Sequence, residues 1–170
     1  MVSSDWRNFL ISSMESVTSA SVLYLCTNPT AGIQTWQALP FYSEQTAWTP
    51  TITGGTIAGT GTYSSQVGYY THIGNMLFVT CHIVWTDHTG TGDMTITNLP
   101  FAARNSSDYH PEGTINPSNI PLPGNATSCR GDIAAGTSIV SMYVLRSNNT
   151  NSPVQMNASG TLHLTIAYLT

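Results

Sequence analysis

The chain has 170 residues, enough for one domain with a sizeable core and an appended arm, yet only 7% of them are charged, against a usual level of roughly 25%. The net charge is −4, and the four basic residues are Arg7, Arg104, Arg130 and Arg146, with no lysine. No basic stripe can therefore form to neutralise phosphates, which argues against a nucleic-acid partner. Hydrophobic residues at 41% argue against disorder, and the absence of any run of eighteen apolar residues argues against a membrane-spanning helix. No basic segment leads into an apolar core at the start, so a secretory signal is not expected.

From Ser4 to Val17, the residues Trp6, Phe9, Leu10, Met14 and Val17 recur near helical spacing and Ser4 or Asp5 can cap the start, which predicts a short amphipathic helix. A strand is expected over Ser21–Thr27, followed by a turn at Asn28-Pro29-Thr30-Ala31-Gly32. Ile33 to Ala47 carries Trp36, Pro40, Phe41 and Tyr42 without a period and reads as an irregular, aromatic-rich extension. The composition shifts near Trp48, giving an arm over 1–46 and a β domain over 47–170.

Met76–Thr86 is the strongest strand signal. Leu77, Val79, Cys81, Ile83 and Trp85 fall on one face, and Met76, Phe78, Thr80, His82 and Val84 on the other, so a strand covered on both sides is expected, in the middle of a sandwich or under a subunit neighbour. Gln66–Ile73 reads as its hairpin partner through Gly74-Asn75. A two-residue loop would pair His72 with Leu77. A three-residue loop through Met76 would pair Ile73 with Leu77 and set Tyr69 opposite Cys81, and the residue pattern favours this second register. Further strands are expected at Asp93–Leu99, Ser128–Ile133, Thr137–Arg146 and Gly160–Leu169, spaced by Gly, Pro and Asn in the manner of an antiparallel sandwich or jelly roll. Arg104–Asn125, with four prolines, reads as one long loop. The expected core is Leu77, Val79, Cys81, Ile83, Trp85, Ile96, Leu99, Phe101, Val140, Leu164 and Ile166.

Chemistry-bearing groups are sparse. His82, Asp87, His88 and Asp93 gather near one strand end and are metal-ligand types, but His82 and Trp85 lie on opposite faces and the loop residues read as solvated, so no metal site is expected and no cofactor. Of the eight acids, Asp5, Glu15 and Glu44 lie in the arm and the rest are scattered, which speaks against the carboxylate pair of a glycosidase. No nucleophile elbow, phosphate loop or dinucleotide fingerprint occurs. Cys26, Cys81 and Cys129 cannot all pair within one chain and match no zinc spacing. Arg130-Gly131-Asp132 falls in a predicted strand, where a glycine bulge on an edge explains it better than an exposed integrin-type tip.

Three stretches together carry a family resemblance: Trp48-Thr49-Pro50; Gly68-Tyr69-Tyr70-Thr71-His72-Ile73-Gly74-Asn75 running into the long apolar strand; and Ile96-Thr97-Asn98-Leu99-Pro100-Phe101-Ala102-Ala103. With the closing segment Ala158 to Tyr168, residues 47 to 170 resemble the jelly-roll-like β-sandwich domain at the C-termini of tailed-bacteriophage fibre and capsid-decoration proteins. The resemblance implies a non-enzymatic virion protein, assembled in the host cytoplasm, and a homotrimer, since members of that family are commonly trimers. Two roles stay open. A capsid cement would dock its arm on the major capsid protein or another virion protein through Trp6, Phe9, Leu10, Trp36 and Phe41. A receptor-binding fibre tip would meet host surface glycans or proteins through loops carrying Tyr109, His110, Asn148 and Asn149. No coiled-coil or triple-helical shaft is visible, which favours the cement.

Overall fold

The computed structural model describes residues 24–28, 35–38, 45–148 and 150–170. The chain divides into two units, 1–44 and 45–170. In the first, β1 (Tyr24–Asn28) and β2 (Thr35–Ala38) form an antiparallel pair in which Cys26 faces Trp36 across the ladder, with an irregularity between Cys26 and Asn28. The expected helix over Ser4–Val17 lies outside the described residues. The stretch from Ile33 to Ala47 holds more regular structure than its composition suggested, for β2 lies within it and β3 (Thr46–Trp48) begins there.

The second unit is all-β. After β3 come β4 (Thr51–Gly54), β5 (Thr62–Ile73), β6 (Met76–Thr86), β7 (Met94–Thr97), β8 (Glu112–Ser118), β9 (Ala126–Ile133), β10 (Val140–Arg146), β11 (Asn151–Pro153) and β12 (Gly160–Leu169). They make one antiparallel sheet in the order β3-β5-β6-β12-β8-β9-β10-β7-β4, with β11 paired to β10. Its first and last strands, β3 and β4, are separated in sequence by Thr49 and Pro50 alone. From Trp48 to Thr51 is three residue steps, at most about 11 Å, so the two ends of the sheet must come together. The sheet curls into a half-barrel. Side chains of β5 reach across the seam to β4: Gln66 Nε2 donates to the Pro50 carbonyl at 2.8 Å, and Tyr63 Oη accepts from the Ile52 N–H at 3.1 Å.

Inside the curl, inward residues of β4, β6, β7, β9, β10 and β12 meet. Leu77, Val79, Ile83 and Trp85 of β6, Leu162, Leu164, Ile166 and Tyr168 of β12, and Ile52, Met94, Ile96, Ile133, Val140 and Met142 are all buried. Period-two alternation along β6 and β12 drives this directly, because one face is apolar throughout. The expected core is found here with one exception. Phe101 is 41% exposed, since the chain has already left the sheet at Pro100, and its ring lies against Tyr70 and His72, with centroids 5.8 and 5.1 Å away.

The β5–β6 hairpin takes the two-residue loop and not the register favoured by pattern. His72 pairs with Leu77, Ile73 with Met76, and Gly68 with Cys81. Gly74 has φ of 60° while Asn75 keeps a negative φ, which suits a type II′ turn with glycine first. Packing explains the choice. A Cβ on Gly68 would stand 2.3 Å from Trp48 Nε1, so the indole lies where a residue opposite Cys81 would otherwise project, and Tyr69 is turned outward.

The segment from Arg104 to Asn125 is not a single loop. Its middle is β8, which pairs with β12 through Thr114–Ser118 and with β9 through Glu112–Ile115. Pro117 falls where β8 has no β9 partner, the position in a sheet where a missing N–H costs least. Similarly, Gly131 is neither on an edge nor at a bulge, since β9 lies between β8 and β10 and its register shift comes at Leu145/Arg146. A Cβ there would meet Val140 Cγ1 at 2.5 Å.

Candidate assembly surface

Strand register sets the outward face of β5, β6, β12 and β8 row by row. One row runs Val67, His82, His163, Asn116; the next Tyr69, Thr80, Thr165, Thr114; a third Thr71, Phe78, Ala167. None of these eleven positions is acidic or basic in the Asp, Glu, Lys or Arg sense. Among the described residues this face of β6 stays partly open, so the cover expected on both sides is found on one side only. Phe78 is 48% exposed, Val67 43% and Tyr69 42%, an apolar cluster on the outer face of the curled sheet. Beside it runs a trough of about 460 Å³, floored by Thr80, Thr114, Thr165 and Ala167 and bounded by Tyr69 and Phe78 on one side and Glu112 on the other. His82 and His163 stack with ring centroids 4.3 Å apart, and His82 Nδ1 is 3.2 Å from Ser65 Oγ.

Charge begins at the margin of this face. The register puts Glu112 opposite Asp132, and Arg130 opposite Thr114. Two carboxylates in direct cross-strand opposition would repel. Arg130 Nη1 pairs with Glu112 Oε1, and its guanidinium lies 5.9 Å from the Tyr143 ring. His110 Nδ1 stands 3.8 Å from Asp132 Oδ1, within ion-pair range and beyond a hydrogen bond. This Glu112/Asp132 juxtaposition could not be read from residues twenty positions apart in a stretch that looked like loop.

No family model, curated protein or solved structure matches this chain.

The histidines and acids near the end of β6 are drawn apart. His88 is buried, Gly90 N–H donates to its Nδ1 at 3.0 Å, and its Nε2 lies 3.1 Å from the Ile52 carbonyl. An N–H can only donate and a carbonyl only accept, which fixes Nε2 as the protonated nitrogen and leaves neither nitrogen for a metal. Far from being a solvated loop residue, His88 is a structural pin between β4 and the turn after β6. His82 points out of the opposite face, and Asp93 Oδ1 accepts from Gln155 Nε2 at 2.7 Å. Among the described residues no three His, Cys, Asp or Glu side chains converge.

The loop residues singled out for recognition have structural partners. Tyr109 Oη accepts from the Leu169 N–H, and Asn148 Oδ1 accepts from the Thr150 hydroxyl at 2.7 Å. His110 is exposed. Asn149 lies outside the described residues, as do Trp6, Phe9, Leu10 and Phe41 of the arm, while Trp36 sits in β2. No described helix is long and apolar enough to cross a membrane.

Proposed function

We propose that this chain is a non-enzymatic bacteriophage virion protein, a trimeric capsid cement or decoration protein whose jelly-roll-like domain follows the arm over 1–46. The observation that carries the proposal is the outer face of β5, β6 and β12, free of Asp, Glu, Lys and Arg, with Phe78, Tyr69 and Val67 open to water. Faces of this kind are covered in assembled particles, and a chain with 7% charged residues resists self-association poorly unless its surface is so used. The resemblance of the Trp48, Gly68–Asn75 and Ile96–Ala103 motifs to virion-surface domains agrees with that reading. The arm supplies the attachment, with Trp6, Phe9, Leu10, Trp36 and Phe41 as anchors on capsid subunits, because aromatic anchors carry a large share of interface energy.

Two measurements test it. The purified protein should have the mass of three 18.2 kDa chains independent of concentration, and particles built with the arm-deleted protein should lose it and become heat-sensitive while still adsorbing to cells. A fibre tip gives the reverse result, lost adsorption with unchanged heat resistance, and that outcome would refute the cement.

A further inference from the structure

Two of the five histidines meet on the outer sheet face. His82 of β6 and His163 of β12 are direct cross-strand partners, set within an unbroken ladder that runs from Gly160↔Trp85 to Leu169↔Met76. Their rings stack with centroids 4.3 Å apart and planes 12° from parallel. We propose that His82 and His163 form a two-imidazole site for an exchangeable divalent transition-metal ion of the Zn²⁺, Ni²⁺ or Cu²⁺ class, with water completing its coordination. The site lies within one copy of the chain and does not depend on the trimeric reading above.

Three observations support it. The backbone holds the two rings in fixed opposition, because the inward neighbours Cys81, Ile83, Leu162 and Leu164 are buried and a slip of register would turn them out to water. Residues so opposed have Cβ atoms ~4.5–5.5 Å apart, a separation from which one nitrogen of each ring can reach a common ion at ~2.0–2.1 Å. Opening the stack takes rotation about χ2, the soft torsion of a histidine. Next, His82 already has an orienting partner. Ser65 stands on β5 two residues before Val67, which is paired with His82, and its Oγ is 3.2 Å from His82 Nδ1. The hydroxyl can accept from Nδ1–H, and in that tautomer the bare nitrogen is Nε2, the form in which imidazole ligates. A hydrogen bond on the far nitrogen is how ligating histidines are commonly held. Last, space and charge both suit a hydrated cation. A cavity of about 220 Å³ adjoins the two rings and is flanked by Thr80 and Thr165, room for several waters at ~30 Å³ each. No lysine or arginine stands in the three outward rows, and the chain carries a net charge of −4. Imidazole suits zinc, nickel and copper where carboxylate suits magnesium and calcium. Among the described residues no third His, Cys, Asp or Glu converges, so the remaining positions fall to water and the ion exchanges freely, unlike a closed structural zinc site.

The test is a calorimetric titration of the full chain with zinc chloride and, separately, nickel chloride, in parallel with melting curves at saturating metal. Wild type should take up one ion per chain at this site and melt at a higher temperature with metal than without, because an ion bound only by the folded state stabilises it. His82→Ala and His163→Ala should each weaken binding roughly tenfold or more, since losing a ligand costs at least as much as the ~10–100-fold typical of losing its orienting partner. Ser65→Ala should weaken it by about tenfold with the stoichiometry unchanged. His110→Ala, which removes an imidazole outside the pair, should bind as wild type does. His163 is exposed and His82 and Ser65 are half-buried, so the metal-free variants should keep the wild-type circular dichroism and melting temperature. Absence of uptake by wild type would overturn the site, as would uptake that survives both His82→Ala and His163→Ala unchanged. Unaltered affinity in Ser65→Ala would overturn the positioning role of the hydroxyl.

Discussion

Cys81 shows how one buried group writes a pH dependence into the fold. It lies on the inward face of β6, where burial pushes the thiol up from 9.0 to about 12, opposed by a hydrogen bond from the Leu164 backbone. The folded state thus holds the thiol neutral while the unfolded chain releases its proton above pH 9. The stabilising contribution is fully present below that value and is lost as pH rises toward 12. Burial raises Tyr168 in the same direction. Denaturant midpoints measured from pH 7 to 11 should fall on the alkaline side, and Cys81→Ala should fall less steeply than wild type. Equal slopes would show that the thiol is not held neutral by the core.

Among the elements, the β5–β6 hairpin isolates the contribution of a turn. Gly74 has a φ of 60° and no atom near its missing Cβ, so Gly74→Val acts through backbone conformation and not through crowding. A β-branched residue in that region costs about 1–2 kcal/mol, and the urea midpoint should shift accordingly with an unchanged slope. An unaltered midpoint would mean the turn adapts to another type. Strand β8 teaches the opposite lesson. Its inward residues are Gly113, Ile115 and Pro117, only one of them a large hydrophobe, so alternation gives almost no signal. What makes it a strand is β12 on one side and β9 on the other. Gly113 is needed because a Cβ would come within 2.5 Å of Ile166 Cβ.

At the scale of the whole molecule, the closure through Thr49-Pro50 lets one core serve all the long strands, and Val79, 1% exposed, sits within it. An unpaired carboxylate there costs several kcal/mol, a large part of the roughly 5–15 kcal/mol that holds a domain together. Val79→Asp should therefore fail to fold in all of residues 45–170 at once, with loss of the cooperative melt. A soluble variant with a sharp transition would show that the core is divided into independent parts.

The all-β class, the inward faces of β6 and β12, the span Met76–Thr86 and the part of the core that these strands carry were determined by the sequence alone, because a period-two apolar pattern has one physical solution in water, whereas Ile52, Met94, Ile115, Ile133 and Met142 joined the core without having been expected there. Register, curvature and the outward face were not. The hairpin register turned on the Trp48 indole lying over Gly68, a contact between residues twenty apart. The burial of His88, the exposure of Phe101 and the meeting of Glu112 with Asp132 all depend on which strands become neighbours once the sheet curls. Likewise, Phe78 and Tyr69 look like any apolar residues in a string of letters. Only the tertiary structure shows that, among the described residues, one face of β6 is buried while Phe78 on the other is exposed.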